Sequence, residues 1–239
     1  VLLRPLPYRD ADELVTIYHH YPSLDLDAGV SAGGFHDYRD RTQSFSGVAV
    51  QTGWGANLTG SGEPIRVTGS RVSAQFFNVL GVSPAKGRAF LEDEDVPGNH
   101  RVAVLSDALW QRQFGSDPDI IGRVISMNSE PFTVVGVLQP GFRDFNNPEA
   151  EIWAPLALTP QQLSAGRTNE WLGLTARIAP GATIEQAQAE MARFAETLQQ
   201  ETPDQYPPNW TLTVTSYDER ATGPIRPALL VLLGAVGFV

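Results

Sequence analysis

The sequence predicts an α+β fold in which the two ends of the chain form one subdomain and a middle segment is inserted as a second. Hydrophobic residues make up 42% and charged residues 18% of the chain, as is typical of a globular protein. Both ends of the chain show strand and helix patterns of similar kind. Between them, residues 101–142 show a strand, a helix and a hairpin that form one compact unit.

The first third of the chain predicts the order β-α-β-β-α. Apolar residues after Ser31 recur at spacings of three and four, which indicates a helix with a hydroxyl at its N-cap. Gly81 follows a short apolar run and is typical of a helix end. The expected elements are a strand over residues 14–18, a helix from Ser31, a strand over 47–51, a turn region over 57–62, a strand over 63–72 and a short helix capped by Ser73.

The middle of the chain predicts a buried strand followed by a short aromatic helix. Residues 102–105 are apolar and rich in β-branched side chains, and Ser106 offers an N-cap hydroxyl. Trp110 and Phe114 are four residues apart, which places both rings on one helical face. Gly115 indicates where the helix ends. We therefore expect Trp110 and Phe114 to be core residues of the inserted subdomain.

A hairpin is predicted directly after this helix. Residues 124–127 and 132–138 have the composition of strands, and Asn128, Ser129 and Glu130 join them. Asn adopts positive φ more readily than most residues, as a tight hairpin turn requires. The two segments should therefore pair with each other beside the helix.

The last third of the chain predicts three strands and one long amphipathic helix. Thr183 and Gln186 form a capping-box pattern, and apolar residues then recur at helical spacing as far as Leu198. This helix is expected to run from about Thr183 to Glu201. The other expected elements are a strand over residues 151–158, a loop over 160–169, a strand over 171–178 and a strand over 212–217.

Charge and composition exclude several classes of function. The net charge of −10 argues against nucleic-acid binding, because contacts to phosphates need a basic surface. The chain has no cysteine, which excludes disulfides and cysteine-ligated zinc. No P-loop, dinucleotide-binding glycine pattern or nucleophile elbow occurs in the sequence. We therefore expect a protein that is not an enzyme, and we assign no catalytic, cofactor-binding or metal-binding residue.

Several segments in a fixed order resemble a known family. They are VAVLSDALWQRQFG from Val102, IIGRVISMNSEPFTVVGVLQPGF from Ile120, FFNVLG from Phe76, Gly87-Arg88, and the acidic run from Glu92 to Asp95. Together they are similar to the periplasmic core domain of MacB-type ABC-transporter permeases, within the MacB/FtsX-like permease family. The resemblance covers most of the chain.

The resemblance implies a porter-like subdomain that is split in sequence and an inserted subdomain of the kind called Sabre. The expected divisions are a membrane-proximal lead-in over residues 1–12, the porter-like subdomain over 13–81 and 166–222, the Sabre-like subdomain over 82–165, and the start of a truncated transmembrane helix over 223–239.

The resemblance also implies a function, a location and partners. It implies a non-enzymatic periplasmic domain of a permease in the cell inner membrane, which transmits ATP-driven motion to a substrate or a partner protein during export. The implied partners are a cytoplasmic ABC ATPase subunit, a second permease in a homodimer or pseudo-dimer, a periplasmic adaptor protein, and the membrane itself through flanking helices. No cofactor is implied.

Residues 228–239 contain no charged side chain. As a helix these twelve residues would reach only ~18 Å, whereas the hydrocarbon layer of a bilayer is ~30 Å thick. The segment is either a C-terminal core helix or the first part of a membrane span, and its lack of a polar face favours the span. Both chain ends should then emerge on one side of the domain, with Arg4 and Arg226 near the membrane interface.

The four histidines are expected to be surface or hydrogen-bonded residues and not ligands. His19 and His20 are adjacent, so a strand would direct them to opposite faces. His36 and its neighbour Asp37 cannot converge on one ion from a helix. The same structural role is expected of His100.

The acidic residues and the tryptophans leave two alternatives open. The run from Glu92 to Asp95 is expected to be a solvated loop, because its spacing lacks the pattern of a calcium loop, the alternative interpretation. Exposed indole rings could stack on sugars, although packing is the more common role of tryptophan in strands. A secreted carbohydrate-binding or glycoside-processing domain is therefore the alternative function. The tryptophans in question are Trp54, Trp153, Trp171 and Trp210.

Overall fold

The computed structural model describes residues 8–60, 63–207 and 209–222. The expectations for residues 1–7 and 223–239, including Arg4, Arg226 and the terminal apolar segment, lie outside the described residues. Within those described ranges, none of the helices combines the length and the apolar character that a membrane crossing needs.

In the described residues, eleven strands join into one mixed sheet. They are β1 (Leu14–Tyr21), β2 (Leu26–Ala28), β3 (Phe45–Thr59), β4 (Ile65–Val72), β5 (Lys86–Gly87), β6 (Val102–Leu105), β7 (Val124–Met127), β8 (Glu130–Val137), β9 (Ile152–Pro155), β10 (Gly173–Ile178) and β11 (Thr211–Ser216). Their order is β11-β1-β10-β3-β4-β9-β6-β8-β5, with β2 paired to β1 and β7 paired to both β3 and β8.

Helices accompany this sheet, so the predicted α+β class is confirmed. Most strand pairs are antiparallel, but β4 with β9 and β6 with β8 are parallel. The described helices are α1 (Ala32–Arg41), α2 (Phe76–Leu80), α3 (Asp107–Phe114), α4 (Pro160–Ser164), α5 (Ile184–Glu201) and α6 (Tyr217–Thr222), with 3-10 turns at Ala11–Glu13 and Glu92–Glu94.

The long strand β3 connects the strands around β10 with the strands around β4 and β7. Residues 45–51 pair with β10, residues 51–58 pair with β4, and residues 58–59 pair with β7. Gln51 lies at the change of partner, opposite Gly173 on one side and Val72 on the other. One hydrogen-bonded ladder therefore connects elements that are far apart in sequence.

The described residues form three hydrophobic cores against the sheet. Because side chains alternate along a strand, Val50 and Leu58 of β3 face one side and Ala49 faces the other. Val50 belongs to the core under α1 and α5, and Leu58 belongs to the core under α3 and the β7–β8 hairpin. Ala49 belongs to the core on the opposite face, which contains α2 and the fully buried Trp153.

The parallel pairing of β4 with β9 depends on Gly69. Gly69 lies opposite Ile152, and a Cβ at this position would come within 2.7 Å of the Ile152 carbonyl oxygen. Any side chain here would force the two strands apart, because the contacted atom belongs to the backbone. The junction between the two parts of the sheet therefore requires glycine.

Several local predictions are confirmed by the structure. Ser31 and Ser106 accept hydrogen bonds from the backbone three residues on, and Thr183 takes part in a complete capping box at the start of α5. At the hairpin, Asn128 and Ser129 have φ values of 52° and 68°. A two-residue turn with two positive φ values suits the twist of paired strands.

Ser73 was expected to cap α2, and this prediction is wrong. Its Oγ accepts a hydrogen bond from the amide of Val50 at 3.1 Å, and the start of α2 has no side-chain cap. Val50 lies on β3, so the hydroxyl joins the approach to α2 to the central strand. A partner distant in sequence has displaced the local cap.

Two segments predicted to be irregular are regular. Residues 57–59 continue β3, because Leu58 and Thr59 pair with β7. Residues 160–164 form α4, which Thr159 and Gln162 begin with a capping box around a proline in the first turn. Helix α6 and the short strands β2 and β5 were not predicted.

Trp110 is less buried than expected. Phe114 is buried in the core beside Leu109, whereas Trp110 is half-buried at its margin. The Trp110 Nε1 donates a hydrogen bond to the Asp117 carbonyl at 3.0 Å, and the ammonium group of Lys86 lies over the ring. The position that turns fully inward is Leu109.

The outer edge of β11 is covered by Gln188 of α5. Its Nε2 donates to the Leu212 carbonyl at 2.9 Å, and its Oε1 accepts from the Val214 amide at 2.7 Å. Among the residues that the structure describes, β11 pairs only with β1, so these are groups that a further strand would otherwise use. The side-chain amide therefore protects an edge that could pair with another chain.

We expect Gln188→Ala to lower the free energy of unfolding by about 1–2 kcal/mol, because two backbone groups lose their partner. The same change should increase self-association, measured by sedimentation velocity over a range of concentrations. Gln199→Ala on the same helix is the control, since Gln199 bonds Pro207 away from the edge. Equal association of the two variants would contradict the edge-covering role.

Candidate functional site

A buried carboxylate, Asp144, organises one side of the sheet. It accepts hydrogen bonds from Gln51 Nε2 at 3.1 and 3.2 Å and from Trp153 Nε1 at 3.3 Å. It also accepts from the amides of Asn146 and Asn147 at 3.0 and 3.3 Å. These contacts fix the loop after β8 against β3 and β9.

The charge state of Asp144 reflects two opposed effects. The side chain is only 1% exposed. Burial raises the pKa of Asp144, because the charged form loses its hydration, while the bonds from Trp153 and Gln51 act in the other direction. Both carboxyl oxygens of Asp144 therefore accept hydrogen bonds from neighbouring donors.

The Asp144 loop forms one wall of a trough on the sheet face. We use the name trough for a cavity of about 530 Å³ over β3, β4 and β10. The residues that matter for its chemistry are Gln51, Gly53, Arg66, Asn146, Asn147 and Trp171.

A second polar cluster surrounds His19 on the opposite face. His19 Nδ1 lies 2.5 Å from Glu170 Oε1, and its Nε2 lies 2.7 Å from the Tyr38 hydroxyl. Tyr21 donates to the same carboxylate. The ring of Trp210 lies 4.8 Å from the imidazole. Elements β1 and α1 are thus joined to the segments that precede β10 and β11.

The phenols near this cluster stay protonated at neutral pH. Burial raises the pKa of Tyr206 to about 12, and burial also raises the pKa values of Tyr38 and Tyr21. Tyr206 stacks on Trp210 with ring centroids 4.1 Å apart. Neutral phenols can donate as well as accept hydrogen bonds, so the cluster is suited to hold segments together.

The remaining histidines are separate from one another. His20 contacts Asp27 at 2.8 Å, and His36 contacts Arg39 at 3.0 Å. His100 accepts a hydrogen bond from the amide of Gly98. In the part of the chain that is described, no group of three or more His, Asp or Glu side chains is arranged to hold a metal ion.

The acidic run is used to connect loops. Glu94 forms an ion pair with Arg88 at 2.6 Å. Asp95 accepts from the amides of Ala157 and Ala74 at 2.6 and 3.0 Å. Burial raises the pKa of Asp95. These carboxylates therefore bind the chain to itself, which the sequence pattern of four acids did not indicate.

The four tryptophans considered for sugar stacking have different environments. Trp153 and Trp210 are buried, the first against Asp144 and the second against His19. The ring of Trp54 is covered by the guanidinium of Arg71 at 4.1 Å. Trp171 is half-buried and lines the trough. Packing therefore accounts for the first three rings, and Trp171 packs in part against the core under α1 and α5.

The site residues that sequence reasoning missed are Asp144 and Gln51. Asp144 follows an apolar hairpin strand within a short loop, and Gln51 interrupts the apolar residues of β3. A buried polar residue inside an otherwise apolar strand needs a partner, and this was the available signal. The identity of the partner depends on the fold.

Comparisons with known proteins agree on one family. A family model described as "MacB-like periplasmic core domain" matches residues 6–194. The macrolide export ATP-binding/permease protein MacB of Burkholderia pseudomallei is 29% identical over 128 residues, which are 52% of this chain and 19% of that protein. The MacB protein of Neisseria gonorrhoeae is 27% identical over 155 residues, which are 64% of this chain and 23% of that protein. The matched segment is thus a small part of these relatives.

Solved structures share the fold. The periplasmic region of MacB from Actinobacillus actinomycetemcomitans superposes with a TM-score of 0.63 at 15% identity, over 89% of this chain and 92% of that one. The extracellular domain of the ABC-type transporter YknZ from Gram-positive bacteria gives a TM-score of 0.59 at 14% identity, over 84% and 99% of the two chains.

We expect Asp144→Ala to lower the free energy of unfolding by about 3 kcal/mol or more, because Gln51, Trp153 and two backbone amides lose their acceptor together. Asp119→Ala, at an exposed position, should change it by less than about 0.5 kcal/mol. Urea denaturation of both variants provides the measurement. A loss for Asp144→Ala as small as that of the control would refute the organising role.

Proposed function

The chain belongs to the family of MacB-like periplasmic core domains of ABC-transporter permeases, and from this membership we propose that it transmits ATP-driven motion to a substrate or partner outside the cytoplasm. In this proposal the domain is not an enzyme and needs no cofactor. It works in the periplasm, on a permease of the cell inner membrane. Family membership supports this function over the alternative of a secreted carbohydrate-processing domain.

The observation that carries the proposal is the continuity of β3 through the sheet. Close-packed interiors have low compressibility and transmit strain, and a hydrogen-bonded ladder resists shear between its strands. A displacement applied at β1 and β10 would therefore reach β9, β6 and the α3 unit through β3 and β4. Transmission of motion requires such a rigid body.

The first and last described parts of the chain lie close together, which supports the proposal that both are attached to one membrane surface. The rings of Tyr8 and Tyr217 are in contact, with centroids 5.9 Å apart. Arg177 donates to the carbonyls of Arg9 and Asp10 at 2.8 and 3.1 Å, which fixes the entry of the chain. Two chain ends that lead to membrane helices need to be neighbours in this way.

The other end of β1 offers a surface for a partner. The hairpin between β1 and β2 exposes Leu24 by 70% and Leu26 by 48%. Exposed apolar side chains that form a patch mark contact surfaces. We propose that a second permease or a periplasmic adaptor contacts this end, while a cytoplasmic ABC ATPase drives the membrane part.

The division into subdomains remains a proposal of the same kind. Residues 13–81 and 166–222 would form the porter-like part, and residues 82–165 the Sabre-like part. The pairing of β4 with β9 and of β3 with β7 would then be the joint between them.

Gly69→Ala tests the transmission of motion in the complete permease with its ATPase. The added Cβ would separate β4 from β9, so export should fall at least tenfold while ATP hydrolysis stays within about twofold of the unmodified protein. Export of a macrolide such as erythromycin is the probe, because the similar MacB proteins are macrolide export proteins.

Gly33→Ala on α1 is the matched control, because the nearest atom to its Cβ would be 3.6 Å away. Its export and ATP hydrolysis should be unchanged. If Gly69→Ala exported normally although the junction was disturbed, motion would not pass through this sheet. Membrane content of each variant is measured by immunoblotting to separate loss of coupling from loss of protein.

A further inference from the structure

Glycines form the floor of the trough, although neither the backbone conformation nor a close contact requires glycine at these positions. Gly53 has no atom within 4 Å of an added Cβ and does not have a positive φ. An added Cβ at Gly173 would meet Gln51 only at 3.8 Å, an ordinary contact. Glycine weakens a strand, since it adds flexibility and buries nothing. The effect of these glycines is to keep an open, flat surface above β3 and β10.

The walls of the trough present hydrogen-bond acceptors. Asn146 and Asn147 use their Nδ2 groups within the protein, toward Thr175 and Ser70. In the ranges that the structure describes, neither Oδ1 atom receives a hydrogen bond. Such acceptors suit a ligand that carries several hydroxyl groups.

One cation lies at the end of the trough. The guanidinium of Arg66 lies over Gly55, where an added Cβ would be 2.9 Å from it. Among the described residues the side chain of Arg66 makes no hydrogen bond and no ion pair. An arginine that is free of protein partners can bind a carboxylate through two parallel hydrogen bonds.

The half-buried Trp171 lines the trough beside β10, whereas Arg66 lies on β4, on the other side of β3. Trp171 lies just before β10, whose first residue is Gly173, and it packs in part against the core under α1 and α5. The part of Trp171 that remains exposed lines the trough. An aromatic ring in this position can stack on the apolar face of a sugar ring.

A peptide fits this surface less well than a sugar. Peptides bind sheets mainly by adding a strand to a free edge, or they place an apolar helix in an apolar groove. On the side away from β4, β3 lacks a neighbouring strand only between Gln51, its last pair with β10, and Leu58, its first pair with β7. Asn128 already bonds Gly55 and Asn57 within this gap, so the space left is too short for an added strand. Its walls are rich in amides and hydroxyls.

We propose that the trough is a binding site for a sugar that carries a carboxylate, such as a hexuronic acid. Trp171 stacks on the ring, the amide oxygens of Asn146 and Asn147 accept from its hydroxyls, and Arg66 binds the carboxylate. A volume of about 530 Å³ lies within the range of small-molecule sites. The site does not depend on the proposed transmission of motion.

The test is a titration of the ¹⁵N-labelled chain with D-glucuronate and, separately, with D-glucose, followed by NMR. Saturable shifts of the Gly53 and Gly173 amides and of the Trp171 indole are expected, with glucose at least tenfold weaker. Gly53→Leu fills the trough and should abolish the shifts. Arg66→Gln should remove most of the preference for glucuronate, whereas Arg193→Gln, an exposed arginine on α5, should not.

Three results would overturn the proposal. They are shifts by acetate equal to those by glucuronate, which would show an adventitious anion only; glucuronate binding that survives Gly53→Leu; and tighter binding of acetyl-Asp-Asp-amide than of glucuronate. Thermal unfolding of each variant confirms the fold. If Gly53→Leu did not fold, Trp171→Ala would replace it, with the same expected loss.

Discussion

The hydrogen-bonded ladder of β3 is the constraint on which the rest of the structure depends. The strand changes partner at Gln51, from β10 to β4, without interruption. Its alternating side chains supply Val50, Ala49 and Leu58 to three different cores. The cores cannot rearrange independently, because each is built on the same backbone. The close approach at Gly69 extends this coupling to β9 and, through β9, to the parallel pair of β6 and β8.

Two buried polar clusters add what hydrophobic packing does not supply. Burial of apolar surface has no direction, whereas a hydrogen bond fixes both distance and angle. Asp144 fixes a loop against β3 and β9 on one face, and His19 with Glu170 fixes another against β1 on the opposite face. A buried charge or dipole is costly unless its partners are present, so each cluster favours one arrangement of its segments.

The sequence was sufficient where a structure is determined by nearby residues. The caps at Ser31 and Ser106, the box at Thr183 and the turn at Asn128 depend on neighbours within a few positions. The sequence was insufficient where a residue that is distant along the chain competes for the same hydrogen-bonding group. Ser73 bonds Val50 in place of its own helix, because the sheet brings that amide within reach. The same reason explains why Asp144 and the trough could not be predicted, since their partners come from β3, β4, β9 and β10.

The side-chain amide of Gln188 also affects how copies of the domain behave when they are held close together. If copies of the domain are tethered side by side, their effective concentration reaches the millimolar range, far above that of free proteins. An open strand edge would then be a template for continued addition of chains, which ends in fibres. Because Leu212 and Val214 already have an internal partner, the edge of β11 is closed to such addition at these two residues. A single glutamine thus limits pairing through this strand when copies of the domain are held close together.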